Sequence, residues 1–118
     1  FNKDTAGFTS LYYKSIVIIS SGIHFTDNEA VNNFNLYQNY PNPFNPTTKI
    51  KFDIPKLTDV KIIIFDAVGR EIKNITQNNL TAGSYEYEFN GENLSSGIYY
   101  FKLQTNEFSK SVKMVLVK

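Results

Sequence analysis

Side chains able to do covalent or acid–base chemistry are few here, and their spacing limits what they could do. There is no cysteine and His24 is the only imidazole, so neither a thiolate nucleophile nor a Cys-based zinc site can be assembled. His24 sits between Ile23 and Phe25 in a segment of uncertain placement and reads as an incidental, partly exposed residue. Asp66 opens the run Asp66-Ala67-Val68-Gly69, where an aspartate accepts hydrogen bonds from amides two residues on more readily than it serves as a general base. Glu86 and Glu88 share one strand face; a carboxylate pair can bind a cation or work as a retaining hydrolase, but with no third ligand and no cleft they read as a solvated face. No imidazole is available to activate Ser95 or Ser96, and no glycine-rich phosphate loop precedes a helix. The expectation is a segment with no catalytic residue, no metal and no cofactor.

The elements that carry these residues are strands. Of the 118 residues, 42% are hydrophobic and 15% aromatic, with eight Tyr and ten Phe, a composition suited to pleated sheets. Ile50, Phe52 and Ile54 alternate with charged neighbours, and Pro55 ends that strand. Val60 to Phe65 is apolar on both faces apart from Lys61, as a central strand would be. Gly69 suits the left-handed position that closes a three-residue hairpin loop with a bulge, returning through Ile72 and Ile75. Tyr85, Tyr87 and Phe89 show the cleanest two-residue period, bounded by Ala82-Gly83 and Asn90-Gly91. Ser95-Ser96-Gly97 leads into Ile98 to Leu103, and a last strand runs from Phe108 to the end. The fold class is all-β: a small antiparallel sandwich of six or seven strands. Its expected core is Ile50, Phe52, Ile54, Val60, Ile62, Ile64, Tyr85, Tyr87, Phe89, Tyr99, Phe101, Leu103, Val112, Met114 and Leu116.

Residues 1–33 read differently. Leu11 to Ile19 looks like one strand, either the last of an upstream domain or an edge strand recruited by the C-terminal sandwich, and Thr26 to Asn33 like a polar linker or a short helical turn capped by Thr26 or Asp27. The chain opens on Phe1 rather than Met, as would the end of a longer polypeptide. Charged residues are 19% and the net charge +1, too balanced for nucleic acid or an anionic membrane as the main partner. No apolar run approaches the roughly eighteen residues of a membrane-spanning helix, and the absence of cysteine leaves the compartment open.

The most informative segment is Gln38-Asn39-Tyr40-Pro41-Asn42-Pro43-Phe44-Asn45-Pro46-Thr47-Thr48-Lys49. Three prolines fix φ and push their predecessors toward extended conformations, giving a stiff loop in which Phe44 is placed to plug one end of the sandwich. This segment, then Val60-Lys61-Ile62-Ile63-Ile64-Phe65-Asp66, Gly69-Arg70-Glu71-Ile72, Ala82-Gly83, Ser96-Gly97-Ile98-Tyr99-Tyr100 and the terminal Lys113-Met114-Val115-Leu116-Val117-Lys118, resembles the C-terminal sorting domain of the type IX secretion system over residues 34–118.

The resemblance implies an immunoglobulin-like sandwich at the C-terminus of an exported protein, with residues 1–33 being the end of the cargo domain and a linker. It implies passage through the periplasm to the cell surface or outside. The partners would be an outer-membrane translocon and its surface sortase-like protease, the domain being a monomer whose removal releases or anchors the cargo. Any enzymatic activity would lie upstream. The motif residues it singles out are Asn39, Pro41, Asn42, Pro43, Phe44, Asn45, Pro46 and Gly97, with the Gly69, Arg70, Glu71 hairpin and the Lys113, Met114 to Lys118 tail as recognition elements. A terminal edge strand would offer a partner unpaired backbone groups and two lysines. The alternative is a structural or carbohydrate-binding module of a surface hydrolase, using Tyr37, Tyr40 and Tyr100.

Overall fold

The computed structural model describes residues 17–18, 21–27 and 31–118, and every regular element within them is a strand. In chain order these are β1 (Val17–Ile18), β2 (Ile23–Asp27), β3 (Asn35–Leu36), β4 (Thr47–Ile54), β5 (Thr58–Asp66), β6 (Glu71–Leu80), β7 (Gly83–Asn90), β8 (Gly97–Gln104) and β9 (Ser109–Leu116). One sheet has the order β9-β8-β5-β6 and the other β1-β2-β7-β4-β3, with every neighbouring pair antiparallel. Seven strands therefore come after Phe34, and two more come from the segment before it.

The two-residue periods of the sequence become the two inner faces. Ile50, Phe52 and Ile54 on β4 and Tyr85, Tyr87 and Phe89 on β7 face Val60, Ile62 and Ile64 on β5, Tyr99, Phe101 and Leu103 on β8, and Met114 and Leu116 on β9. Burying each such side chain stabilises the fold by about 1.5 to 3 kcal/mol before ordering costs are counted. Val112 departs from the expected core: it is half-buried and packs against the cluster. β9 is a sheet edge, and the loop covering that edge bonds only from Lys113 to Val117, leaving Val112 beside open solvent. Ile23, Leu36, Phe44, Ile75 and Leu80 join the core as well.

The β5–β6 hairpin has the expected form. Gly69 N–H donates to the Asp66 carbonyl at 3.0 Å and Asp66 N–H to the Arg70 carbonyl at 3.0 Å, with Gly69 at φ +89°, where a side chain would be strained.

The N-terminal segment brings a correction. Thr26 and Asp27, expected in a linker, instead belong to β2, which pairs with β7 through Ile23–Tyr87, His24–Glu86, Phe25–Tyr85 and Asp27–Ser84. Ile23 is wholly buried in the core, and that burial, not the polarity of Thr26 and Asp27, decides where the strand lies. Val17 and Ile18 pair in turn with Phe25 and His24; the rest of the strand expected over residues 11–19 lies outside the described residues.

Candidate functional site: the end where the motifs meet

The proline-rich segment does not form a regular strand, yet it is fixed on both sides. Toward β4, Tyr40 N–H donates to the Lys49 carbonyl at 3.1 Å and Lys49 N–H returns a bond to Tyr40 at 3.0 Å. Inside the turn Asn39 is buried: its amide nitrogen donates to the Pro41 carbonyl at 3.1 Å and Thr48 Oγ1 at 2.9 Å, and the Thr48 hydroxyl donates to the same Pro41 carbonyl at 2.8 Å. A buried amide is stabilising only when its polar atoms are satisfied, which these bonds and the one that Asn39 Oδ1 accepts from Gln38 Nε2 at 2.7 Å achieve. The three Xaa–Pro bonds, at Pro41, Pro43 and Pro46, are cis.

On its other side the segment runs along β9. Gln38 Nε2 donates to the Lys113 carbonyl at 2.8 Å, Val115 N–H donates to Asn42 Oδ1 at 3.0 Å, Phe44 N–H to the Val115 carbonyl at 2.9 Å, and Val117 N–H to the Phe44 carbonyl at 3.0 Å. Phe44 and Leu116 thus form a parallel bridge. The Phe44 ring, 1% exposed, meets Phe89 edge-on at 6.1 Å and plugs this end of the sandwich. Gly91 completes the socket: its N–H donates to the Pro46 carbonyl at 2.8 Å, and an added Cβ would stand 3.1 Å from Leu116 and 3.4 Å from Phe44.

This overturns the expectation that the terminal strand offers an unpaired edge. The Lys113 carbonyl, both backbone groups of Val115 and the Val117 N–H are already engaged, because the prolines cannot donate but Gln38, Asn42 and Phe44 bond in their place. Lys118 is also fastened, its N–H donating to Ser96 Oγ at 3.0 Å and its ammonium to the carbonyls of Glu92 at 2.7 Å and Leu94 at 3.0 Å. Met114 is wholly buried in the core.

The hairpin tip lies at the same end. Asp66 pairs with Tyr99, and Gly97 with Leu116, so the tip, the Ser96-Gly97 turn and the chain terminus are neighbours around a shallow depression lined by Asp66, Val68, Arg70, Ser96 and Ile98. Asp66 Oδ1 accepts from Arg70 N–H at 2.8 Å and Val68 N–H at 3.1 Å, and Oδ2 from Arg70 Nε at 2.8 Å. The Arg70 amide, helped by its guanidinium, holds the Asp66 carboxyl below the usual carboxylate range. Asp66 is therefore spent on its turn, while the Arg70 side chain stays 81% exposed and Val68 77% exposed. Glu71 accepts from Asn74 Nδ2 at 3.2 Å.

Proline, glycine and terminal motifs far apart in sequence meet here with Asp66 and Ser96, whereas the other residues weighed for chemistry, His24, Glu86 and Glu88, lie in β2 and β7. Glu86 pairs with Lys49 at 3.3 Å on the outer face of the five-stranded sheet. His24 stands opposite Glu86 in β2. Among the described residues no group of three or more His, Cys, Asp or Glu side chains could hold a metal, and no helix is long and apolar enough to cross a membrane. Tyr37 and Tyr100 lie on the outer faces of opposite sheets, Tyr37 bonded to Asp53 and Tyr100 between the inward Tyr99 and Phe101, so the tyrosines do not form one sugar platform. Sequence reasoning missed the joining roles of Gln38, Gly91 and Ser96; Gly91 was visible only as a turn signal.

A family model for the secretion system C-terminal sorting domain matches residues 38–118, so the chain belongs to that family. A comparison with curated proteins finds no match. The segment is thus a non-catalytic sorting signal for cargo export by the type IX secretion system, acting in an extracytoplasmic, secreted or cell-surface setting.

Proposed function

We propose that the translocon recognises this sorting domain at the end of the sandwich where the hairpin tip and the terminal residues meet. The observation that carries this reading is the convergence of Phe44, Gly69-Arg70, Ser96-Gly97 and Val117-Lys118 on one end, with the Arg70 and Val68 side chains directed to solvent. A partner would read a folded shape there: an exposed cation, Arg70, an apolar rim of Val68, Ile98 and Val117, and the exposed Lys113 on the adjoining edge. Asn39, Asn42, Phe44, Gly97 and Met114 serve recognition indirectly, by building that end. In this reading the sandwich is immunoglobulin-like, residues 34–118 are the sorting domain, and residues 1–33 belong to the cargo side, with the surface protease cutting ahead of Phe34.

The test is export of a periplasmic reporter fused to the whole chain in a bacterium with this route. The wild-type fusion should reach the medium or the surface. Arg70→Glu combined with Val68→Asp should hold it in the periplasm while its melting temperature stays close to wild type. Export of that double variant at the wild-type level would move recognition elsewhere, and a folded wild-type fusion that stays inside would overturn the sorting role.

A further inference from the structure

We propose that the edge of β7 is a strand-acceptor site, filled in the intact chain by Ile23–Asp27 and open to an extended peptide of the same pattern once the connection between β2 and β3 is cut. β7 has two different neighbours. Along β4 it is paired over its whole length, from Gly83 with Ile54 to Asn90 with Thr47. Along β2 it is paired only from Ser84 to Tyr87, with a shift in register between Phe25 and Asp27.

The β2 side is shaped for particular residues. Opposite Tyr87 the site takes Ile23, which enters the core and is wholly buried. Opposite Tyr85 it takes Phe25, whose ring meets the tyrosine edge-on at 5.4 Å. Gly83 provides the notch for that ring and for the end of the strand: a Cβ there would lie 2.7 Å from Phe25 Cε1 and 2.9 Å from the Asp27 carbonyl. Thr26 Oγ1 donates to the Ser84 carbonyl at 3.1 Å, fixing the register. The occupant is therefore an extended segment with an aliphatic residue, one intervening residue, an aromatic residue and then a hydroxyl.

The match to the sorting family begins at residue 38, so this occupant lies outside the matched residues. Its hold on β7 rests on four backbone pairs and the two side chains Ile23 and Phe25. Its connection to β3 supplies an effective concentration of the order of millimolar, and a cut removes that advantage. Strand addition at a sheet edge gives affinity through the backbone and specificity through alternate side-chain pockets, here those of Ile23 and Phe25. The proposal stands on the β2–β7 geometry; the processing cut of the sorting reading would be one way of opening the site, and its test does not involve export.

The experiment uses the full chain with a protease recognition sequence replacing residues 28–33, followed by amide hydrogen exchange. Before cutting, the β7 amides directed at β2 should be as protected as those directed at β4. After cutting and gel filtration to remove the N-terminal fragment, the β2-facing amides should exchange at least tenfold faster while the β4-facing ones are unchanged. A synthetic peptide of residues 21–27, added at millimolar concentration, should restore their protection, and the same peptide with Phe25→Ala and Ile23→Ser should not. In the uncut chain, Phe25→Ala alone should raise exchange at those same amides. A fragment that cannot be removed, loss of protection throughout the sandwich on cutting, or no response to the peptide would each show β2 to be an integral strand and overturn the acceptor site.

Discussion

Phe44 binds in two ways at once: its ring fills a socket formed with Phe89, Gly91 and Leu116, and its backbone bonds to Val115 and Val117. Phe44→Ala removes the ring and leaves a cavity, so urea unfolding should show a loss of about 3 to 5 kcal/mol, while the proline-rich backbone keeps its bonds. Asp66 gives a pH-dependent counterpart. Its carboxyl is held below the ordinary aspartate value by the Arg70 amide and guanidinium. The depressed folded value means that its contribution is present above the unfolded value of about 4 and is lost as pH falls through the folded value. The stability gap between wild type and Asp66→Asn should therefore be widest near neutrality and close as the pH drops below about 4, measured as paired thermal melts. At this scale the sequence was informative: the Asp66 turn and the Phe44 plug follow from residue type and position. Gln38 was not, because its role depends on a carbonyl of Lys113 brought close only by the fold.

Among the elements, the strands with strict alternation, β4 and β7, were legible because one buried face imposes a two-residue period. β2 was not, since its five residues end in Thr26 and Asp27 and its place depends on a notch at Gly83 in a different strand. The covering of β9 was equally hidden: a loop of prolines has no period, and nothing in the tail's own sequence says that Asn42 and Phe44 will take its outward bonds. This matters for any truncation of the tail. Deleting residues 113–118 removes Met114 and Leu116 from the core as well as the exposed lysines. Such a chain should lose cooperative unfolding by circular dichroism, so failed export would report a collapsed sandwich. Lys113→Ala touches only the exposed side chain and should shift stability by no more than about 0.5 kcal/mol, making it the cleaner probe of a surface contact.

For the whole molecule, the two sheets share one continuous core, to which Ile23 contributes as fully as Phe52 or Phe101. Limited proteolysis should accordingly cut first in the polar stretch between β2 and β3 and leave residues 34–118 resistant; a first cut beyond Asn45 would contradict that boundary. The overall architecture was readable from strand count and turn spacing, and the motif order carried the family. The end where the motifs meet was not readable as a place, because its parts are separated by most of the domain and meet only when both sheets have formed.

The bridge between Phe44 and Leu116 also orders events in time. A chain made from its N-terminus produces the plug first, the Phe89 and Gly91 sides of its socket next and the Leu116 wall later still, so Phe44 is not fully housed before Leu116 exists. A product that stops a few residues short would carry the proline-rich motif, both glycine turns and the hairpin, yet could not seat the ring. The contact that closes the sandwich therefore forms only after Leu116 has been made.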